Sequence, residues 1–210
     1  MRFPSIKTTL KGLGVAVVAA AVVGAAWPAF DPIRLVTAPS GNEVRYRVRE
    51  QLANFEFPND AIGRTSEIRG GLTIDESGKI VPAESRFEVN LATLTSDQNM
   101  RDNYLRRRTL EVDQHPGAAL VVTELRGFPW PLPRTGTFQF TLVGDFTFKG
   151  VTRPTTWSVA AEAINGGYKG LAATAFTFET FEMTKPRVAR VLSVADTIKL
   201  EYEFNLVPAP

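Results

Sequence analysis

The feature that most constrains the fold of this chain is a two-residue alternation of apolar and polar side chains that recurs along much of its length. It is clearest between Thr137 and Phe148, where the even positions hold Phe138, Phe140, Leu142, Phe146 and Phe148. A period of two places alternate side chains on opposite faces of a β-strand. The pattern predicts eight strands, centred near residues 44, 68, 87, 120, 142, 157, 176 and 202.

Short turns join several of these predicted strands. Lys149-Gly150 separates one pair, and Asn165-Gly166-Gly167 separates the next. Antiparallel strands can be joined by two-residue hairpins, whereas parallel strands need a crossover of about a dozen residues or more. The chain is therefore predicted to be all-β, with eight antiparallel strands closed into a barrel that buries one face of each strand and leaves no free edge.

The same alternation predicts which side chains point into the barrel. We expect them to be Phe87, Leu120, Phe138, Phe140, Leu142, Trp157, Val159, Leu200, Tyr202 and Phe204. Small residues are also expected inside, namely Ala161, Ala163, Ala173 and Ala175. An eight-stranded barrel can be filled by side chains or can hold one ligand, and inward alanines favour a ligand cavity.

One long segment, residues 95–123, interrupts the run of strands and predicts a short inserted helix. Ser96 is the expected N-cap, and Asp97 would place a negative charge in the first turn. A second irregular segment, residues 127–133, contains three prolines together with Phe128 and Trp130. It predicts a stiff loop, either a lip that touches a ligand or a lid packed on one end of the barrel.

Two basic clusters are candidate sites for the polar head group of a ligand. The inserted helix supplies Arg101, Arg106 and Arg108, with Arg107 between them, and the segment before the last strand supplies Lys185, Arg187 and Arg190. The planar guanidinium group suits phosphate because it can donate two parallel hydrogen bonds. The alternative is that residues 106–108 complement the negative end of the helix dipole and that Arg101 pairs with a nearby acid.

Two segments resemble motifs of the YceI-like family. The first is the pattern Thr95…Arg101-Asp102…Leu105…His115-Pro116 around the inserted helix, and the second is GDFTFKGVTRPTTW, residues 144–157. The similarity extends from about Glu43 to Val207. It implies an extended lipocalin-like antiparallel β-barrel whose apolar tunnel takes a polyisoprenoid or a related lipid.

The first 30 residues predict export and an N-terminal hydrophobic helix. Arg2, Lys7 and Lys11 precede an uncharged run over residues 12–30, GLGVAVVAAAVVGAAWPAF. This arrangement fits a cleaved signal peptide or a retained membrane anchor, with a buried core helix as a third interpretation. In the first two cases the barrel domain, residues 43–207, would be periplasmic or otherwise extracytoplasmic. Residues 31–42 contain Pro32 and Pro39 and predict a linker.

The charge balance argues against nucleic acid as a partner. Without Arg2, Lys7 and Lys11, 21 of the 24 basic residues remain against 22 acidic residues, so the rest of the chain carries a net charge near −1. Binding to phosphate backbones requires a basic face. A lipid, and a membrane if the N-terminal segment is retained, are the expected partners, and the sequence leaves the oligomeric state open.

The residues that usually carry catalysis or bind metals are sparse. The chain has no cysteine and one histidine, His115, so it offers no thiolate nucleophile and no paired metal ligands of these types. Glu201 and Glu203 fall on an outward strand face. We therefore expect no enzyme activity and no cofactor other than a bound isoprenoid-type lipid. The favoured function is an exported carrier or storage protein for a long-chain apolar lipid, with a filled adaptor barrel and a hydrolase as alternatives.

Overall fold

The computed structural model describes residues 31–53, 56–188 and 191–210. The predicted signal peptide or anchor over residues 1–30 lies outside the described residues, as does Arg190. Strands β1 to β11 span Ile33–Thr37, Glu43–Leu52, Asn59–Thr65, Ile68–Ile74, Arg86–Asn90, Thr95–Ser96, Gly117–Arg126, Thr137–Phe148, Val151–Ile164, Gly167–Thr177 and Val191–Pro208. Helix α1, Asn99–Tyr104, continues into a π-helical turn at Leu105–Thr109, and short 3₁₀ turns occupy Pro82–Glu84, Leu91–Thr93 and Glu179–Phe181.

The sheet closes on itself. Neighbouring strands follow the order β1-β4-β5-β7-β8-β9-β10-β11, and β1 pairs with β11 to complete the ring. Each of these pairings is antiparallel. A closed ring satisfies the backbone hydrogen bonds that an open sheet would leave at its edges.

Three positions in the ring are each occupied by two successive strand segments. β1 and β2 pair with the same edge of β11, at Leu206–Pro208 and at Val191–Glu203. β4 and β3 pair with β1 and β2 respectively, and β5 and β6 pair with β4 and β3. The eleven strands therefore occupy eight positions, and the predicted eight-stranded antiparallel barrel is confirmed.

The prediction of a linker over residues 31–42 is wrong for Ile33–Thr37, which forms β1. Leu35 is buried in the core, and Ile33, two residues earlier, packs against the same cluster. Pro32 and Pro39 lie just outside the strand, so neither removes a donor from its ladder. The prolines mark the limits of the strand and do not exclude it.

Asn59–Thr65 forms a further strand, β3, which is not centred on any of the eight predicted strands. Gly63 within this strand has a packing role. A β-carbon built at Gly63 would lie 2.2 Å from Cε1 of Tyr46 on the neighbouring strand. The glycine therefore makes room for an aromatic ring within a regular pair of strands.

Successive connections alternate between the two ends of the barrel. The helix end carries the β2–β3 hairpin, α1 with its π-helical turn, the Lys149-Gly150 turn and residues 178–188. The lid end carries residues 75–85, 127–136 and the turn at 165–166. Two clusters of buried apolar residues lie between these ends, one around Phe146 and Phe181 and the other around Trp157 and Phe204.

Candidate functional site

The interior of the barrel contains a cavity of about 710 Å³. Its wall extends from Leu52 and Met100 at the helix end to Leu132 and Tyr168 at the lid end. The wall is built mainly from the inward apolar residues of the strands. Small side chains leave the space open, among them Ala61, Ala118, Ala161 and Ala172. The barrel is therefore hollow along its length.

All ten side chains predicted to point inward lie on this wall. They are Phe87, Leu120, Phe138, Phe140, Leu142, Trp157, Val159, Leu200, Tyr202 and Phe204. They come from β5, β7, β8, β9 and β11, so the alternation in each of these strands predicts the correct face. Their contact with a ligand stays a prediction.

The prediction of inward alanines is wrong on β10. Ala175 is exposed, and neither it nor Ala173 lines the cavity. The inward residues of this strand have the opposite parity and include Ala172 and Phe176. The run Ala172-Ala173-Thr174-Ala175 has no apolar alternation, so the sequence gives no basis for choosing its face.

The proline-rich segment forms a lid at one end of the cavity. The ring of Phe128 meets Phe140 edge-on at 5.0 Å between centroids and meets Phe138 at 6.1 Å. The hydroxyl of Tyr168 donates a hydrogen bond to the carbonyl oxygen of Pro133 at 2.9 Å. The interpretation of this segment as a packed lid is confirmed, and Phe128 also faces the cavity from it.

Asp102 fixes α1 to the barrel wall at the other end. Its carboxylate is buried and accepts hydrogen bonds from the backbone N–H and the hydroxyl of Ser96, at 2.9 and 2.6 Å. Ser96 lies in β6, where it pairs with Gly63. The prediction of Ser96 as the N-cap is wrong, because Gln98 occupies that position and makes no side-chain cap. Asp97 also precedes the helix.

A polar cluster, which we define as Tyr46, Glu50 and Arg101, interrupts the apolar wall near α1. Arg101 Nη2 donates a hydrogen bond to Glu50 Oε1 at 2.7 Å, and Nη1 donates to the Asp97 carboxylate. The Arg101 and Glu50 side chains are only 16% and 8% exposed. The predicted alternative, in which Arg101 pairs with a nearby acid, is confirmed.

The hydroxyl of Tyr46 is buried beside this ion pair. It has no hydrogen-bond partner among the described residues. Burial raises its pKa well above the ordinary value, and the nearby Arg101 charge opposes that rise only in part. Burial works to lower the pKa of Arg101, but Glu50 and Asp97 outweigh this effect and raise it. The cluster therefore offers a neutral phenol and a compensated ion pair.

The other basic candidates lie away from the cavity wall. Arg106 donates a hydrogen bond to the carbonyl oxygen of Leu94 at 2.9 Å, and Arg108 is exposed to solvent. Lys185 pairs with Asp196 at 3.4 Å. Of the predicted head-group residues, only Arg101 is among the described residues that line the cavity.

Tyr46 and Glu50 were missed as site residues, although the sequence contains a signal for both. Val44, Tyr46 and Val48 share one parity on β2, and Glu50 continues it. A carboxylate at an inward position is costly unless it is paired. That exception indicates a partner inside the barrel, but alternation alone could not identify it as Arg101.

The described part of the chain contains no group of three or more His, Cys, Asp or Glu side chains placed to hold a metal ion. Within the same residues, no helix is long and apolar enough to span a membrane. Among the described residues that line the cavity, Glu50 is the one with a carboxylate side chain.

A closed antiparallel barrel with a long apolar cavity defines a lipocalin-like class of protein. The family model of the YceI-like domain matches residues 36–206. The chain therefore belongs to the YceI-like family. No curated protein matches it significantly.

Solved structures share this fold at low sequence identity. A polyisoprenoid-binding domain from Saccharophagus degradans, implicated in plant cell wall breakdown, is 8% identical, with a TM-score of 0.65 over 84% of this chain and 99% of that one. BcnA from Burkholderia cenocepacia is 13% identical, with a TM-score of 0.57 over 80% and 96% of the two chains. The YceI protein of Campylobacter jejuni is 12% identical, with a TM-score of 0.56 over 76% and 91%.

Proposed function

We propose that this protein binds one long-chain apolar lipid, a polyisoprenoid or a similar molecule, inside the barrel. The observation that carries the proposal is the cavity of about 710 Å³, with its mainly apolar wall and its polar cluster near one end. This volume falls within the range of about 300–1,000 Å³ that is usual for ligand pockets. The relative from Saccharophagus degradans is described as polyisoprenoid-binding, which supports the same ligand class here.

The polar cluster favours an uncharged head group for this lipid. Arg101 already faces the carboxylates of Glu50 and Asp97, so its charge is not free to balance a phosphate. The buried hydroxyl of Tyr46 has no partner among the described residues and can hydrogen-bond to an alcohol or a carbonyl oxygen. A long chain would then lie along the apolar wall, with its polar end beside Tyr46.

The test compares an inward and an outward substitution on the same strand. Ala172→Phe places a ring in the cavity, whereas Ala175→Phe places it on the exposed face of β10. Binding of a polyisoprenoid alcohol to full-length protein should fall about tenfold or more for Ala172→Phe, because the ring competes for the buried volume. Ala175→Phe should bind normally. Equal binding by both variants would contradict the proposal.

The two alternatives predict different results. A filled adaptor barrel would yield no lipid when purified protein is extracted and analysed by mass spectrometry. A hydrolase would need a pair of facing acids, whereas Glu50, the acid on the described wall, is held by Arg101. We therefore propose binding without catalysis.

We further propose that the protein is exported and acts as a carrier or store of the lipid outside the cytoplasm. The support is the uncharged run over residues 12–30 after Arg2, Lys7 and Lys11. A reporter that functions only outside the cytoplasm, fused after Val207, should be active. Activity of a reporter that works only in the cytoplasm would contradict export.

A further inference from the structure

We propose that the helix end of the barrel docks on the surface of a lipid bilayer through a mouth rim, which we define as Phe57, Met100, Val188 and Leu192. The inference goes beyond ligand binding. It rests on the proposed function only in that the bilayer would supply or receive the lipid.

The first observation is the exposure of large apolar side chains. Three of the four rim side chains, Phe57, Met100 and Leu192, are 72%, 76% and 67% exposed, and Val188 is 38% exposed. Away from the helix end, Trp130 and Leu171 are only 39% and 38% exposed. Single exposed apolar residues are common, but a group of them at one end of a molecule indicates an interaction surface.

The second observation is that this rim is continuous with the cavity. Met100 and Val188 are exposed and also line the cavity wall. Leu192 follows Val191, which pairs with Leu52 on the wall. Phe57 belongs to the hairpin that joins Leu52 to β3. A lipid chain that leaves a docked bilayer at this rim could enter the cavity without crossing water.

Exposed arginines at the helix end can contact anionic lipids. Arg107, Arg108 and Arg187 are exposed and form no hydrogen bond or ion pair with the described residues. Glu56, next to Phe57, and the exposed Asp113 and Glu179 at the same end of the barrel oppose this charge. Insertion of the apolar rim should therefore supply most of the binding, with a smaller, salt-sensitive contribution from the arginines.

The rim is better suited to a bilayer than to a folded protein partner. Its large side chains come from three separate segments, the β2–β3 hairpin, α1 and the residues before and at the start of β11. Met100 and Val188 also line the cavity, so this apolar surface continues into the interior of the barrel. Side chains arranged in this way can each enter the interfacial region of a membrane.

The absence of cysteine from the sequence allows a single label to be placed at will. Full-length Phe57→Cys and Leu192→Cys proteins would each carry an environment-sensitive fluorophore, with Asn165→Cys in the exposed β9–β10 turn as the lid-end control. On addition of vesicles of phosphatidylcholine and phosphatidylglycerol, the rim labels should shift to the blue and brighten severalfold. The Asn165→Cys label should respond much less than either rim label. Silent rim labels, or an equal response from the lid-end label, would overturn the proposal.

A second pair of variants controls for loss of apolar surface. In the labelled Leu192→Cys protein, Phe57→Ser should raise the vesicle concentration needed for half the response about tenfold. Leu171→Ser, which removes a similar side chain from the barrel wall, should leave it unchanged. Equal effects of the two substitutions, or a rim response that depends on protein concentration without vesicles, would contradict docking. The latter would indicate a second copy of the chain as the partner.

Failure of docking can be distinguished from failure of ligand binding. Lipid content, measured by mass spectrometry on the same preparations, reports the cavity alone. Lipid-loaded protein with silent rim labels would refute docking and leave the proposed function intact. Lipid-free protein with responsive labels would refute the proposed ligand and leave docking intact.

Discussion

The lid end and the helix end bound the same cavity with different chemistry. At the lid end, Phe128 packs against Phe138 and Phe140, and one hydrogen bond from Tyr168 fixes the loop. At the helix end, an enclosed ion pair lies beside the Tyr46 hydroxyl, which has no hydrogen-bond partner among the described residues, and large apolar side chains face solvent. The strand walls between them are mainly apolar, so the two ends give the cavity a direction, with a packed loop at one end and a polar cluster at the other.

The largest expected effect on stability comes from removing the aromatic packing of the loop at the lid end. Phe128→Ala removes a ring that packs edge-on against two others, and it should lower the free energy of unfolding by about 3 kcal/mol. Urea denaturation would measure the loss. Trp130→Ala, which removes a more exposed ring from the same loop, should cost clearly less. Similar values for both would mean that the lid is held by something other than the aromatic contact.

The ion pair at the helix end should contribute somewhat less to stability. Glu50→Gln leaves Arg101 enclosed with only Asp97 to balance it, and we expect a loss of about 2 kcal/mol in the free energy of unfolding. The matched control is Glu84→Gln at an exposed pair with Arg34, which should change stability by less than about 0.5 kcal/mol. If the control costs as much as Glu50→Gln, burial does not explain the effect.

The hydroxyl of Tyr46 should affect ligand binding and leave the free energy of unfolding nearly unchanged. Tyr46→Phe removes a group without a partner in the described structure, so the unfolding free energy should change by less than about 1 kcal/mol. Affinity for a polyisoprenoid alcohol should fall about fivefold, since one hydrogen bond is lost. Tyr168→Phe at the lid end should show the reverse pattern, with lower stability and normal affinity. Unchanged affinity of Tyr46→Phe would remove this residue from the site.

The smallest effect is expected from the arginines outside the cavity. Arg106→Gln combined with Arg108→Gln should change affinity less than about twofold for both a polyisoprenoid alcohol and its phosphate, because neither residue lines the wall. Competition binding with the two ligands would measure the difference. A selective loss of the phosphorylated ligand would instead support the head-group role predicted for these residues from the sequence.

The strand faces could be predicted from the sequence because burial on one side of a strand leaves a period of two. Phe138, Phe140 and Leu142 carry that pattern clearly, and they line the cavity. The pattern fails at Ala172 to Ala175, where consecutive small residues give no alternation, and at Gly63, whose purpose depends on a ring from another strand. Tertiary contacts of this kind leave no trace in local periodicity.

The polar cluster was only partly predictable for a related reason. Arg101 stands out in the inserted helix, but its partner Glu50 is 51 positions away in the sequence. Arg106 to Arg108 look alike in the sequence, yet Arg106 bonds to a backbone carbonyl and Arg108 faces solvent. The roles of these arginines differ because of how the chain folds at the helix end, and the local sequence does not show that fold.

The position of β1 determines how the barrel would be held by a tether. Ile33 pairs with Ile74 at the lid end, and only two residues separate it from the uncharged run that ends at Phe30. The 18 residues of β11 span about 45 Å along a barrel axis at ordinary rise and tilt. A retained anchor would therefore hold the mouth rim far from its own membrane and present it to a second one. Together with the proposed docking, a retained segment implies contact with two bilayers, and a cleaved segment implies a barrel that is free to move between them.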